Sequence, residues 1–353
     1  MRVLQLGPYP PPQGGINRNM LAIREELRNA GHKCAVIAIT KSAKITNEPD
    51  VYHPPNPLAL IRLLLKLKYD VLHIHIGGEL PSRVLGLLLV CGILARGKSV
   101  LTLHSGGFAV SKDAQNAKPS SVKGFIFRQF ARIICVNTLM LEVFENYGVE
   151  KERIRLIYPF YCESPDEKVV VPQQLKEFAE KHHPFLLSVG LLEPDYDLFT
   201  QIEALEKVRK KFPGAGLMIV GSGSLEAGLR EAISERAYAE NICLAGDVEH
   251  PVTLHLIDDA DVLLRTTLFD GDAISVREAL HLDTPVIATD NGMRPEKVHL
   301  IPTSNAEALA AAIESIISRE KTPKTRKADD RTNIKAVVSL YEELLQVGTN
   351  DSK

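Results

Sequence analysis

The stretch DVLLRTTLFDGDAISVREALHLDTPVIATD, Asp261 to Asp290, decides the fold. Asp261 to Leu264 reads as a short apolar strand, and a polar loop carrying Asp270 and Asp272 follows it. Ile274 to Leu282 has the spacing of a helix that turns an apolar side inward, and Pro285 to Ala288 reads as a second apolar strand. Strand, loop, helix and strand in that order make a βαβ unit, whose strands lie parallel in one sheet beneath the crossover helix.

Working outward, the same alternation fills the chain. Upstream strands are expected at Phe185 to Val189, Gly216 to Val220 and Asn241 to Leu244, with helices near Asp197 to Lys211, Ser224 to Arg236, Val252 to Ile257 and Ala306 to Ser318. The first half repeats the pattern, with strands at Arg2 to Leu6, Cys34 to Ile39, Val71 to Ile76, Ser99 to Leu103 and Arg132 to Val136. A helix from Asn17 to Asn29 stops before Gly31, and Pro81 opens another at a position where its missing N–H costs nothing. Between Tyr158 and Pro172 the apolar periodicity lapses into Pro-, Glu- and Asp-rich sequence, the mark of an interdomain crossing. The expected fold class is therefore α/β, with two Rossmann-like doubly wound domains: residues 1–160, joined by a last helix over 332–347, and residues 161–331. Two such domains in series imply a cleft at the carboxyl ends of their strands, so function is sought in the loops that follow strands.

Composition narrows the class. With 353 residues, 45% apolar and 24% charged, the chain is of ordinary globular make-up and too long for one core, which excludes disorder, collagen and coiled coil. The net charge of −2 conceals an asymmetry: residues 1–160 hold 21 Lys+Arg against 11 Asp+Glu, and the remainder 21 against 33. The basic half is the better candidate to face something anionic. Five cysteines, odd in number and widely spaced, suit a reducing cytoplasm rather than a disulfide framework. No secretory leader is visible at the start. The longest apolar run, Val84 to Ala95, is too short to span a membrane and reads as a buried helix. Without Trp or a dense Lys/Arg tract, a nucleic-acid partner is not expected.

Several loops could carry chemistry. The first strand runs into Gly7-Pro-Tyr-Pro-Pro-Pro-Gln-Gly14-Gly15 ahead of a helix, which suits either close approach of backbone to a phosphate or a tight turn. It does not match G-x-G-x-x-G, so a dinucleotide dehydrogenase loses support. His73 and His75 share one face of a strand; they could ligate a metal, but no third ligand lies near, and partnered structural histidines look the same. His104 stands where a strand gives way to Ser-Gly-Gly107, placed to hydrogen-bond a ligand hydroxyl or to serve as a loop-tip residue. Val189-Gly190 and Gly221-Ser-Gly223 follow strands, and their amides suit a nucleotide or simply the strand-to-helix turn. Asp270 and Asp272 could hold sugar hydroxyls or cap the helix beginning near Ala273. Capping does not account for Glu278, which directly precedes the apolar pair Ala279-Leu280.

In this order the motifs resemble the retaining, metal-independent glycosyltransferases of the GT-B fold, family 4. The most specific block is Asp270-x7-Glu278 followed by Thr284-Pro-Val-Ile-Ala, which is similar to the family's E-x7-E element with Asp in the first acidic position. The resemblance implies a nucleotide-diphosphate-sugar donor, a glycan, lipid-linked or small-molecule acceptor, no cofactor and no metal. By it, Glu278 would bind the ribose. Asp270, Asp272 and the amides of Ala273, Ile274 and Ser275 would hold the donor sugar, with Gly14, Gly15, Gly190, Gly221 and Gly223 along the donor. His104 would contact the sugar near the reacting centre. The family's Arg and Lys after the Val-Gly strand are missing here, where Gly190 is followed by Leu191-Leu-Glu-Pro-Asp-Tyr196. Arg265, at the end of an apolar strand beside the acidic loop, is the expected substitute, unless it only pairs with Asp270 or Asp272; Arg277 and Arg294 are weaker candidates. Rival readings are another activity on the same fold, such as an epimerase or phosphorylase, and a degenerate member that binds a nucleotide-sugar or a partner transferase without catalysis. A peripheral contact with an anionic membrane is expected through residues 122–133, where Lys123, Arg128 and Arg132 interleave with Phe125, Ile126, Phe127 and Phe130, with Arg62, Lys66 and Lys68 near Leu63 to Leu67 adding to it, or else that helix faces the core and its basic residues snorkel.

Overall fold

A computed structural model of the chain describes residues 1–10, 15–39, 48–95, 97–268, 273–290, 294–319, 324–325 and 328–350. Gly14, Asp270 and Asp272 lie outside these residues. The chain forms two compact units, Met1–Tyr161 with Asp330–Lys353, and Cys162–Asp329.

The first unit contains strands β1 (Arg2–Gly7), β2 (Lys33–Ala38), β3 (Val51–Tyr52), β4 (Val71–Ile76), β5 (Ser99–Leu103), β6 (Arg132–Cys135) and β7 (Ile154–Leu156) in one sheet of order β3-β2-β1-β4-β5-β6-β7, paired in parallel throughout. Helix α1 (Gly15–Asn29) connects β1 to β2; α2 (Pro57–Lys66), α3 (Ser82–Leu94), α4 (Lys112–Gln115), α5 (Val122–Phe127) and α6 (Leu139–Asn146) connect the strands from β3 to β7. The step from β1 to β2 runs one way across the sheet and the later steps run the other, so right-handed crossovers put α1 on one face and α2 to α6 on the opposite face. Local chemistry sets the helix ends. Asn56 caps α2 by accepting from the amide of Ala59 at 2.9 Å, ahead of Pro57 in the first turn, and Gly31 closes α1 at φ +75°.

The second unit contains β8 (Phe185–Val189), β9 (Gly216–Val220), β10 (Ile242–Gly246), β11 (Val262–Arg265), β12 (Val286–Thr289) and β13 (His299–Ile301), again parallel, in the order β10-β9-β8-β11-β12-β13. Helices α7 (Gln173–Lys181), α8 (Leu198–Lys211), α9 (Glu226–Ser234), α10 (His250–Asp259), α11 (Ile274–His281) and α12 (Ala306–Ile317) cover it. One core layer joins α8, α9 and α12 to the sheet and the other joins α7, α10 and α11. The final helix α13 (Thr332–Asn350) belongs to the first unit, where Ile334, Val337, Leu340 and Tyr341 pack with Ile23 and Leu27 of α1 and Val71, Val100 and Ile134 of the sheet. Each unit is doubly wound. The order reverses between β1 and β4 in the first and between β8 and β11 in the second, and a ligand of such a sheet sits beyond the strand ends at that place.

Two expectations need correction. The run Val84 to Ala95 is a helix but not a buried one: Leu88, Cys91 and Gly92 face the core, while Ile93 is 56% and Leu94 40% exposed. Hydropathy alone does not report how many sides of a helix are covered. Residues 122–133 are not one amphipathic helix. Helix α5 stops at Phe127, Phe127 and Phe130 are fully buried, and Arg128 is turned to the carbonyls of Pro119 and Tyr147. Pro81 opens α3 as its N-cap, where its carbonyl accepts from the amides of Val84 and Leu85 and its missing N–H leaves no bond unmade. The edge strands β3, β7 and β13 carry too few residues to show a pattern.

Candidate functional site

In the second unit the loops after β8, β9 and β11 meet at the order reversal. Glycine is required here by close approach. A Cβ on Gly221, which holds φ +134°, would lie 1.8 Å from the carbonyl oxygen of Gly190. The amides of Gly190 and Gly221 donate to Val220 and Gly246, at 3.0 and 2.8 Å. A Cβ on Gly223 would meet the Leu192 carbonyl at 2.5 Å. Glu193 accepts from the amide and hydroxyl of Ser224, which holds its carboxyl below the usual range. These glycines thus serve the packing of loop against loop.

Gly190 has a further consequence. A Cβ there would come within 2.1 Å of the Tyr196 ring and 2.9 Å of Arg265 Nη1, so its absence admits both side chains. Arg265 ends β11 and is 8% exposed; its Nη1 donates to the Val189 carbonyl at 2.8 Å and its guanidinium lies 4.7 Å from the centre of the Tyr196 ring. A cation is therefore fixed at the ends of β8 and β11, beside the loop in which the sequence lacks one. Arg294 is anchored past the ends of β11 and β12: Nε donates to the Thr289 carbonyl at 3.0 Å and Nη2 to Thr267 Oγ1 at 2.7 Å, while Thr289 Oγ1 donates to the Thr267 carbonyl at 2.5 Å. The sequence ranked Arg294 as a solvated loop residue because its threonine partners come from two other segments.

Glu278 is 2% exposed in α11, and its Oε1 lies 2.8 Å from Nε2 of His250, the first residue of α10. His250 was not anticipated; it sits 28 positions upstream, and only the packing of α10 against α11 joins the two. The N-cap of α11 is Ala273, which supplies no side-chain acceptor, and Ser275 in its first turn is buried. Arg265, Gly190 and Tyr196 are thus brought together, as are Glu278 and His250.

His104 and Gly15 belong to the first unit, where Gly15 opens α1 and His104 follows β5. A row of histidines crosses β4 and β5. His73 Nδ1 meets the Tyr341 hydroxyl from α13 at 2.5 Å and its Nε2 meets Thr102 Oγ1 at 2.7 Å, which makes it a partnered structural histidine. His75 Nδ1 lies 3.1 Å from His104 Nε2. Burial pushes His73 and His75 well below the ordinary histidine range and His104 down to about 3, so each ring is neutral near pH 7 and carries one N–H. His75 Nε2 is buried and has no partner. A proton on Nε2 would make it an orphaned buried donor, the costlier case, so the network assigns the proton to His75 Nδ1, donating to His104. His104 then carries its own hydrogen on Nδ1. Among the described residues no group of three or more His, Cys, Asp or Glu is placed to hold a metal.

Comparison with known proteins agrees with this architecture. The family model described as glycosyl transferases group 1 matches residues 172–332, and that of glycosyltransferase family 4 matches residues 13–161. An uncharacterized glycosyltransferase of Methanocaldococcus jannaschii is 29% identical over 34% of this chain and 29% of its own length. The amylovoran biosynthesis glycosyltransferase AmsK of Erwinia amylovora is 24% identical over 69% of this chain and 60% of its own; the chain thus spans less than two thirds of either relative. The alpha-monoglucosyldiacylglycerol synthase of Acholeplasma laidlawii is 25% identical over 79% and 77%. Among solved structures, Anabaena HepE in complex with UDP-glucose superposes with a TM-score of 0.64 at 15% identity over 100% of both chains. The catalytic domain of Arabidopsis thaliana starch synthase IV, bound to ADP and acarbose, gives 0.67 at 11% identity over 98% and 99%. At such identities the structural likeness shows the fold, two Rossmann-like α/β domains of the GT-B kind.

Proposed function

Because the chain belongs to the GT-B glycosyltransferases, with a family 4 first domain and a group 1 second domain, we propose that it moves a sugar from a nucleoside diphosphate sugar to a hydroxyl acceptor with retention of anomeric configuration. The observation that carries this is Arg265, a buried cation held on Tyr196 and the Val189 carbonyl at the order reversal of the second unit. A diphosphate leaving group gains negative charge as the glycosidic bond breaks. A preorganised guanidinium there stabilises the transition state, each such donor contributing on the order of 3 kcal/mol. Arg265, with Arg294 held past the ends of β11 and β12, takes the part of the absent Arg and Lys, and no metal is required.

The remaining roles follow. Glu278 accepts from the ribose diol, steadied by His250, and the start of α11 from Ala273 to Ser275, preceded by Asp270 and Asp272, takes the sugar. His104 offers its Nδ1–H to a sugar hydroxyl. The bond between the anomeric carbon and the phosphate oxygen breaks, a bond from that carbon to the acceptor oxygen forms on the same face, and the acceptor proton passes to the departing phosphate. The first unit receives the acceptor. A glycan or lipid acceptor is the reading supported by relatives named for amylovoran biosynthesis and as an alpha-monoglucosyldiacylglycerol synthase.

One observation favours a member that binds without turnover: the loop from Leu191 to Tyr196 has no cation, and Glu193 already occupies the Ser224 amide. A thermal-shift screen of UDP-, GDP- and ADP-sugars on the full chain, followed by donor hydrolysis and transfer, separates the two. Stabilisation by one donor together with turnover supports the transferase; stabilisation without turnover across donors and acceptors supports the binder.

A further inference from the structure

Within the first unit, no described element covers the outer surface of helices α2, α3 and α5, which share one face of the first sheet. Leu58 and Leu65 of α2 are 58% and 67% exposed, Ile93 and Leu94 of α3 stand out beside them, and Val122 and Phe125 of α5 continue the row at 69% and 51%. On α2 the spacing of Leu58, Arg62 and Leu65 sets all three on one side, and on α3 Gly86, Val90 and Ile93 do the same. The exposed Leu58, Leu65 and Ile93 therefore belong to outward rows of neighbouring helices, with Leu94, Val122 and Phe125 exposed on the same helices, rather than being scattered residues.

The charges around them are almost all of one sign. Residues 53–132 hold 11 Lys+Arg and three acids, Asp70, Glu79 and Asp113. Asp70 is paired with Arg2 and Asp113 with Lys123. Arg62, Lys66, Lys68, Arg83 and Lys98 are exposed and have no ion pair among the described residues. Between the ends of α2 and α3 lies a groove of about 450 Å³ walled by Leu65, Leu67 and Leu94, with Lys68 and Lys98 on its rim. Projecting apolar side chains set among unpaired cations match the chemistry of an anionic bilayer surface, whose headgroups take the cations while the acyl boundary takes the leucines. No described helix is long and apolar enough to cross a membrane, so the contact is peripheral.

We propose that the face formed by α2, α3 and α5 docks the protein on an anionic membrane surface. The face is assembled from three helices, two of which lie outside residues 122–133. It does not depend on the donor site, which belongs to the second unit.

The test is co-sedimentation of the full chain with vesicles of phosphatidylcholine alone and of phosphatidylcholine with an equal amount of phosphatidylglycerol, at low and high salt. Partition onto the anionic vesicles should exceed that onto neutral ones by about tenfold or more and weaken with salt. Arg62→Glu/Lys66→Glu/Lys68→Glu should reduce it by a similar factor with wild-type melting, and Leu65→Ser/Ile93→Ser should reduce it at unchanged charge. Equal partition onto both vesicles, partition onto neither, or an unaltered triple variant overturns the proposal. So does a dimer in solution that Leu65→Ser/Ile93→Ser splits, since a second copy would then cover the face.

Discussion

Replacing Arg265 by Ala removes a side chain whose surroundings allow its contribution to be worked out. In the folded protein the change leaves the Val189 carbonyl without its 2.8 Å donor and the Tyr196 ring without the guanidinium 4.7 Å above it. Loss of the hydrogen bond at a buried site costs about 1–3 kcal/mol and loss of the cation–π contact about 0.5–2 kcal/mol, so stability should fall by roughly 2–4 kcal/mol, read from the urea midpoint at unchanged slope. The effect on transfer is larger. If the guanidinium neutralises the departing diphosphate, its removal should lower kcat about 100- to 1000-fold, because the charge it meets grows toward the transition state. Donor affinity should fall less. Arg265→Lys keeps the charge but not the planar fork, and should recover part of kcat while still losing the Val189 contact. The assay is initial-rate transfer or donor hydrolysis over a range of donor concentration, at a temperature where both variants remain folded. A folded Arg265→Ala with kcat and donor affinity within about threefold of wild type would refute the substitution.

Four further outcomes follow from the same geometry. Gly190→Ala places a methyl 2.1 Å from the Tyr196 ring and 2.9 Å from Arg265 Nη1, so it should reproduce most of the Arg265→Ala loss in kcat without altering any charge, in the same rate assay. Nitrogen NMR of labelled histidine should show His104 with its proton on Nδ1; His75→Asn, which keeps a donor toward His104 Nε2, should hold that tautomer and kcat/KM, whereas His75→Leu should lose about fivefold or more. Tyr341→Phe strips the hydroxyl from His73 Nδ1 in a fully buried setting and should lower stability by about 1–3 kcal/mol in chemical denaturation. Since burial depresses the His104 pKa to about 3 from an ordinary 6.5, the unfolded chain binds the proton more readily between those values; stability is retained above pH 6.5 and lost as pH falls toward 3, and His104→Gln should flatten that slope.

Much of this was legible in the sequence, for identifiable reasons. From Asp261 to Asp290, strand, acidic loop and helix are all local in sequence, so the βαβ unit, Glu278 and the placing of Arg265 at a strand end could be read directly. What escaped notice depends on distant partners. His250 reaches Glu278 from another helix, Thr267 and Thr289 anchor Arg294 from two strand ends, and Tyr341 reaches His73 across 268 positions. The apolar run from Val84 to Ala95 misled because composition records hydrophobicity but not whether a second layer covers it. Of the two readings of residues 122–133, the core-facing one holds for Phe127 and Phe130, which are buried where the short helix ends. The split of charge between the halves has a local source, since residues 53–132 hold 11 Lys+Arg against three acids.

The central claim is that the second unit holds a nucleoside diphosphate sugar through Glu278 and Arg265. Isothermal titration calorimetry of the full chain against UDP-glucose and a panel of GDP- and ADP-sugars, repeated with Glu278→Gln and Arg265→Ala, tests it most directly. At least one donor should bind the wild type with a Kd of about 1 mM or tighter, and each variant should weaken it about tenfold or more. No binding across the panel, or equal binding by wild type and both variants, would contradict it.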